Sequence, residues 1–132
     1  SRGLGDVYKR QTLPRLTVHS LAARLRVMPA VIVTGAHLGD GVIVNTGATV
    51  DHHCRLDDFC HVCPGVHLAG RVHVGRYTWV GIGSSVIQGI TIGEGSLIGA
   101  GAAVVSDIPD HVVAYGVPAR VVREYDPMGG MR

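Results

Sequence analysis

Every sixth residue from Ile32 onward is aliphatic: Leu38, Val44, Val50, Leu56, Val62, Leu68, Val74, Val80, Val86, Ile92, Ile98 and Val104. An α-helix cannot produce this period, because six residues rotate well away from the starting face. Short strands broken by turns can. The residue two before each of these is small or β-branched: Ala36, Val42, Ala48, Cys54, Cys60, Val66, Val72, Thr78, Ser84, Ile90, Ser96 and Ala102. The residue three after is often glycine, at positions 41, 47, 65, 83, 89, 95 and 101. Glycine accepts the positive φ that a sharp corner demands. The pattern predicts an all-β chain, a parallel β-helix with flat faces. Three faces per turn make coils of eighteen residues, stacked by backbone hydrogen bonds at about 4.8 Å.

The repeat divides the chain. Residues 17–107 form the predicted β-helix, with Thr17 to Ala30 a first coil one residue out of phase, since Leu25 and Val27 straddle the expected position Arg26. Residues 1–16 show no period and stay unassigned. Residues 108–132 hold a turn-rich loop, one extended strand from His111 to Val122 with Pro118 at an edge, and a tail.

Composition agrees with a tightly wound repeat. Of 132 residues 46% are apolar and only 5% aromatic, while 19 are glycine. A net charge of +2 without a cationic stripe predicts no nucleic-acid partner. No apolar run reaches membrane-spanning length, and no leader pattern opens the chain. Three cysteines, Cys54, Cys60 and Cys63, favour a reducing, cytoplasmic setting over a disulfide framework.

Histidine changes the picture. Five of the eight histidines fall between positions 52 and 73. One corner, Asp51-His52-His53, carries a histidine pair where most other repeats carry a glycine. His19, His37, His67, His73 and His111 read as surface or packing residues. Cys54 and Cys60 fit the small-residue column as packing. Cys60-x-x-Cys63 alone is too little for a zinc site. Tyr77 and Trp79 read as cover for apolar surface between subunits.

The stretch Val44-Asn45-Thr46-Gly47-Ala48-Thr49-Val50-Asp51-His52-His53-Cys54 resembles the sialic acid O-acetyltransferase and nucleotide-amino-sugar N-acetyltransferase family. So do Phe59-Cys60-His61-Val62, Pro64-Gly65, Trp79-Val80-Gly81-Ile82-Gly83 and Gly116-Val117-Pro118-Ala119-Arg120. The likeness spans about residues 17 to 123. It implies a left-handed β-helix, a homotrimer with active sites between subunits, and acetyl-CoA as donor with no metal. It implies a sugar or nucleotide-sugar acceptor, taken at an amino or hydroxyl group. His52 matches the general base, suited by an imidazole pKa near 6.5. His61 matches a residue near the thioester. Gly70, Ile82 and Ala100 match the pantetheine channel, and Arg120 falls where a CoA phosphate would lie.

Two departures stand out. The family usually places an acidic residue directly after the catalytic histidine, and here His53 stands instead. Asp51 is the remaining acidic neighbour, although adjacent strand residues face opposite ways. Family members also usually carry an N-terminal sugar-nucleotide-binding domain, for which this sequence leaves no room. Two alternatives accompany this reading. One is a γ-class carbonic anhydrase-like metalloenzyme, for which His37 and His73 stack two coils apart without a third ligand. The other is a catalytically weak β-helix scaffold.

Overall fold

The computed structural model describes residues 17–18 and 26–126. The unassigned segment, His19 and most of the C-terminal tail lie outside them. From Val31–Ile32 to Ala103–Val104, strands of two residues recur every six positions, and successive strands enter three different sheets in turn. Sheet A stacks Thr17–Val18, His37–Leu38, Arg55–Leu56, His73–Val74 and Thr91–Ile92. Sheet B stacks Arg26–Val27, Ile43–Val44, His61–Val62, Trp79–Val80 and Leu97–Ile98. Sheet C stacks Val31–Ile32, Thr49–Val50, His67–Leu68, Ser85–Val86 and Ala103–Val104. The predicted parallel β-helix is what forms.

Register follows from the period. Val50 pairs with Leu68, Leu56 with Val74 and Val62 with Val80, each eighteen residues on. Val27, not Arg26, pairs with Val44, one residue short of that spacing. Within each strand from Val31–Ile32 to Ala103–Val104, the first residue faces outward and the second inward. The inward aliphatic column, Ile32 through Val104, is at most 3% exposed. Burying each such side chain stabilises the fold by roughly 1.5–3 kcal/mol. The small-residue column is buried with it, and its three hydroxyls, Thr78, Ser84 and Ser96, are bonded.

The corners hold a finding that the glycine pattern only half foretold. From Ile32 to Ile98, the position three after the inward residue has positive φ whether or not it is glycine. Gly47, Gly65 and Gly83 take it, and so do His53 (57°), Phe59 (59°), Arg71 (58°) and Tyr77 (60°). Each of these four donates its backbone N–H to the preceding coil, to Thr34, Asp40, His52 and Asp58 respectively. The stacking ladder therefore sets the corner, and a cost of about 1–2 kcal/mol per non-glycine residue is absorbed by it.

The C-terminal region differs from the single extended strand expected over His111 to Val122. Val112–Gly116 joins sheet B parallel to Leu97–Ile98, and Ala119–Glu124 returns antiparallel to it. Gly116 (φ 105°) and a cis Val117–Pro118 peptide lie in the reversal. The Gly-Val-Pro sequence thus makes a hairpin turn rather than an edge strand.

Candidate active site

Because the corners repeat every eighteen residues, each is a vertical column with its own chemistry. The corner from sheet A to sheet B carries Asp40, Asp58, Arg76 and Glu94. The corner from B to C carries Thr46, Pro64, Ile82 and Ala100, beside an unbroken glycine column at 47, 65, 83 and 101. The corner from C to A carries Thr34, His52, Gly70 and Gln88.

The histidine pair sits on this last corner, between Thr49–Val50 and Arg55–Leu56. The two rings lean apart along the column. His52 lies over Gly70 of the next coil, where an added Cβ would collide with its Nε2. His53 lies over Gly35 of the previous coil, where a Cβ would meet its ring at 2.7 Å. Their Nδ1 atoms nevertheless meet at 3.2 Å, with the rings nearly perpendicular at 78°. The Asp51 carboxylate takes a different partner. Its Oδ1 accepts the backbone N–H of His52 at 2.7 Å and fixes the turn. His53 is therefore the ring partner of His52, and Asp51 orders the backbone beneath it.

His61 opens its strand on the outer face of sheet B, flanked by Ile43 and Trp79. Thr46 donates its backbone N–H to Asn45 Oδ1 at 2.8 Å, which turns the amide nitrogen of Asn45 toward His61. That nitrogen lies 3.1 Å from His61 Nε2. Nε2 must then accept, so the ring proton sits on Nδ1. Nδ1 is buried without a partner among the described residues. Burial also holds the His61 pKa below the ordinary imidazole value, which favours the neutral ring. Trp79 packs edge-on against it at 4.7 Å.

The structure thus brings His52, His53 and Gly70 together and seats Asp51 under them. Ile82 and Ala100 stack one above the other, with Gly101 N–H bonded to Ile82 C=O. They occupy the B-to-C corner, however, across sheet C from His52. At Gly83 and Gly101 beside them an added Cβ would meet nothing within 4 Å. That leaves the corner beside Ile82 and Ala100 open at these two glycines. Arg120 lies in the terminal hairpin, exposed and paired in register with Tyr115.

Two residues escaped the sequence reading. Asn45 stands in the quoted Asn-Thr-Gly stretch, but its hold on His61 spans sixteen residues. Gly35 could have been found by counting eighteen back from His53. The cysteines are all buried and unpaired, and desolvation raises their thiols above the usual value. Among the described residues no group of three His, Cys, Asp or Glu side chains is placed to hold a metal ion. His37 and His73 share sheet A with Arg55 between them, as expected from their spacing.

No protein-family model and no curated protein matches the chain. Solved structures do, and they place it in a class by likeness: it is similar to the β-helices of hexapeptide-repeat acetyltransferases. A histidine mutant of perosamine N-acetyltransferase from Caulobacter crescentus, in complex with CoA and GDP-perosamine, is 43% identical with a TM-score of 0.73. The match covers 84% of this chain and 55% of that one. The acetyltransferase domain of PglB from Neisseria gonorrhoeae, in complex with acetyl coenzyme A, is 45% identical with a TM-score of 0.73, over 84% and 56%. A maltose O-acetyltransferase from Clostridium difficile shares the fold at 23% identity and a TM-score of 0.76, over 92% and 74%. The chain therefore spans about half the length of the sugar N-acetyltransferase it resembles.

Proposed function

We propose that this protein transfers the acetyl group of acetyl-CoA to an amino or hydroxyl group of a sugar or nucleotide-sugar, with His52 as general base. The observation that carries this reading is the His52 ring, whose Nε2 lies against Gly70 while its Nδ1 is engaged by His53. A ring held at Nδ1 by an acceptor has its lone pair at Nε2, where a proton can be received. In this mechanism the acceptor nitrogen or oxygen attacks the thioester carbonyl directly, and His52 takes its proton as the bond forms. The thiolate of CoA leaves, and no covalent enzyme intermediate is needed.

The ledge along Ile82 and Ala100 holds the pantetheine arm, with His61 near the thioester and Arg120 near the phosphates. Since that ledge and His52 occupy different corners, the site is completed by a second copy. A homotrimer of left-handed prisms, with the cofactor between neighbours, satisfies this requirement and covers exposed Ile82 and Trp79. A cytoplasmic setting supplies acetyl-CoA and keeps the three thiols reduced.

The similarity to a perosamine N-acetyltransferase crystallised with CoA and GDP-perosamine supports both donor and acceptor class. The test is His52→Ala assayed by CoA release with amino and hydroxyl sugars. Turnover should fall by about 10² to 10⁴, the usual contribution of a general base, with acetyl-CoA binding retained. Undiminished turnover would remove His52 from the mechanism.

A further inference from the structure

We infer that His53 is a positioning residue that selects the reactive tautomer of His52, and that the pair works only when both imidazoles are neutral. The inference rests on the base assigned to His52 above. An imidazole has one proton to place on two nitrogens, and the hydrogen bond at one decides the other. Left alone, a histidine side chain favours the proton on Nε2, the form that has no lone pair there to act as base. At 3.2 Å the two Nδ1 atoms cannot both carry a proton or both present a lone pair. When His52 donates from Nδ1, His53 accepts at its own Nδ1 and His52 Nε2 is a base. When His53 donates instead, His52 holds its proton on Nε2 and the site is dead.

Steric packing keeps the rings in this contact. Gly35 and Gly70 leave slots that the two rings fill, and a Cβ at either would collide with them. The positive φ of His53 is imposed by its bond to Thr34, so its ring is presented by the ladder rather than chosen locally. Two charged residues flank the pair: the Asp51 carboxylate bonds the His52 backbone N–H, and Arg71, at the matching corner position one coil on, donates its backbone N–H to His52 C=O. A carboxylate in place of His53 would accept only, and would leave one neutral arrangement. His53 leaves two, and protonating it turns its Nδ1 into a donor. Both histidines must therefore lose their extra protons before the reaction runs.

The test uses the full chain and two variants. His53→Phe removes the partner, and the corner tolerates it, because Phe59 already occupies an equivalent corner at φ 59°. His53→Asn keeps a carboxamide near the Nδ1 position and does not titrate. Nitrogen-15 spectra of the histidine rings should show the His52 proton on Nδ1 in the native protein and on Nε2 in His53→Phe. The kcat should fall about tenfold or more in His53→Phe, with KM for acetyl-CoA unchanged, and recover in part in His53→Asn. The limiting acid slope of log(kcat/KM) should reach two in the native protein and one in His53→Asn. A native His52 already protonated on Nε2, or identical tautomers in native protein and His53→Phe, would overturn the inference. Equal kcat or equal acid slopes in native and variant proteins would do the same. His52→Ala run alongside separates the two claims: if it stays active the base assignment fails, whereas the ring spectra judge His53 without reference to turnover.

Discussion

On the proposed mechanism, Gly70 is the position where one added carbon atom would decide the chemistry. Its backbone is in an ordinary conformation, with no positive φ, so alanine brings no strain of its own there. The added Cβ would instead press on His52 Nε2 and turn the ring out of its slot. Gly70→Ala should leave the thermal transition within a few degrees of native while lowering kcat by about 10²-fold, the scale on which misplacement of a reacting group acts. Denaturation and turnover measured on one preparation check this. A collapse of stability would mean that Gly70 serves the coil and not the ring. The sequence reading placed Gly70 in the pantetheine channel. Its contact with the His52 ring was hidden because the two residues are eighteen apart.

Between neighbouring coils, the unit of stability is the ladder, with hydroxyls patching it at the A-to-B corner. Ser96 receives the N–H of Val112 at 3.1 Å and donates to Pro109 C=O at 2.7 Å, so it fastens the terminal hairpin to the last coil. Thr78 does the same one coil earlier, accepting from Ser96 N–H and donating to Gly93 C=O. Ser96→Ala would leave the buried Val112 donor without its partner and remove the hydrogen bond to the Pro109 carbonyl. It should cost about 1–3 kcal/mol, read as a lower denaturant midpoint, with the amides of Val112–Gly116 exchanging faster than those of sheet C. Uniform exchange across the chain would contradict the assignment. Thr78, Ser84 and Ser96 were legible as small residues. Their bonds to neighbouring coils were not, because a hydroxyl in a small-residue column looks like packing until the next coil's carbonyl is in view.

At the scale of the whole molecule, the proposed trimer makes a prediction that one chain cannot satisfy. His52 stands on the C-to-A corner, and Ala100 on the B-to-C corner. A chain carrying His52→Ala lacks the base, and one carrying Ala100→Trp blocks the ledge. Each should be inactive alone, and co-expressed chains should recover a measurable share of native turnover, since mixed trimers restore some intact sites. Absence of recovery, with mixed trimers demonstrated by mass, would show that one chain supplies both corners. Light scattering should give a particle of three 13.9 kDa chains.

The sequence by itself determined the six-residue period, the inward column from Ile32 to Val104, and the corner that carries Asp51, His52 and His53. These are readable because each rests on neighbours one strand away, and because an aliphatic column has only one place to be buried. The tertiary structure decided what stacks on what. It set positive φ at Phe59, Arg71 and Tyr77, where no glycine announced it. It made a hairpin of the segment after His111, gave Asp51 to the backbone and His53 to the His52 ring, and set Ile82 and Ala100 on a different corner from His52. All of these depend on contacts between coils. A repeat states its period in every copy, whereas the chemistry between copies exists only once they are wound together.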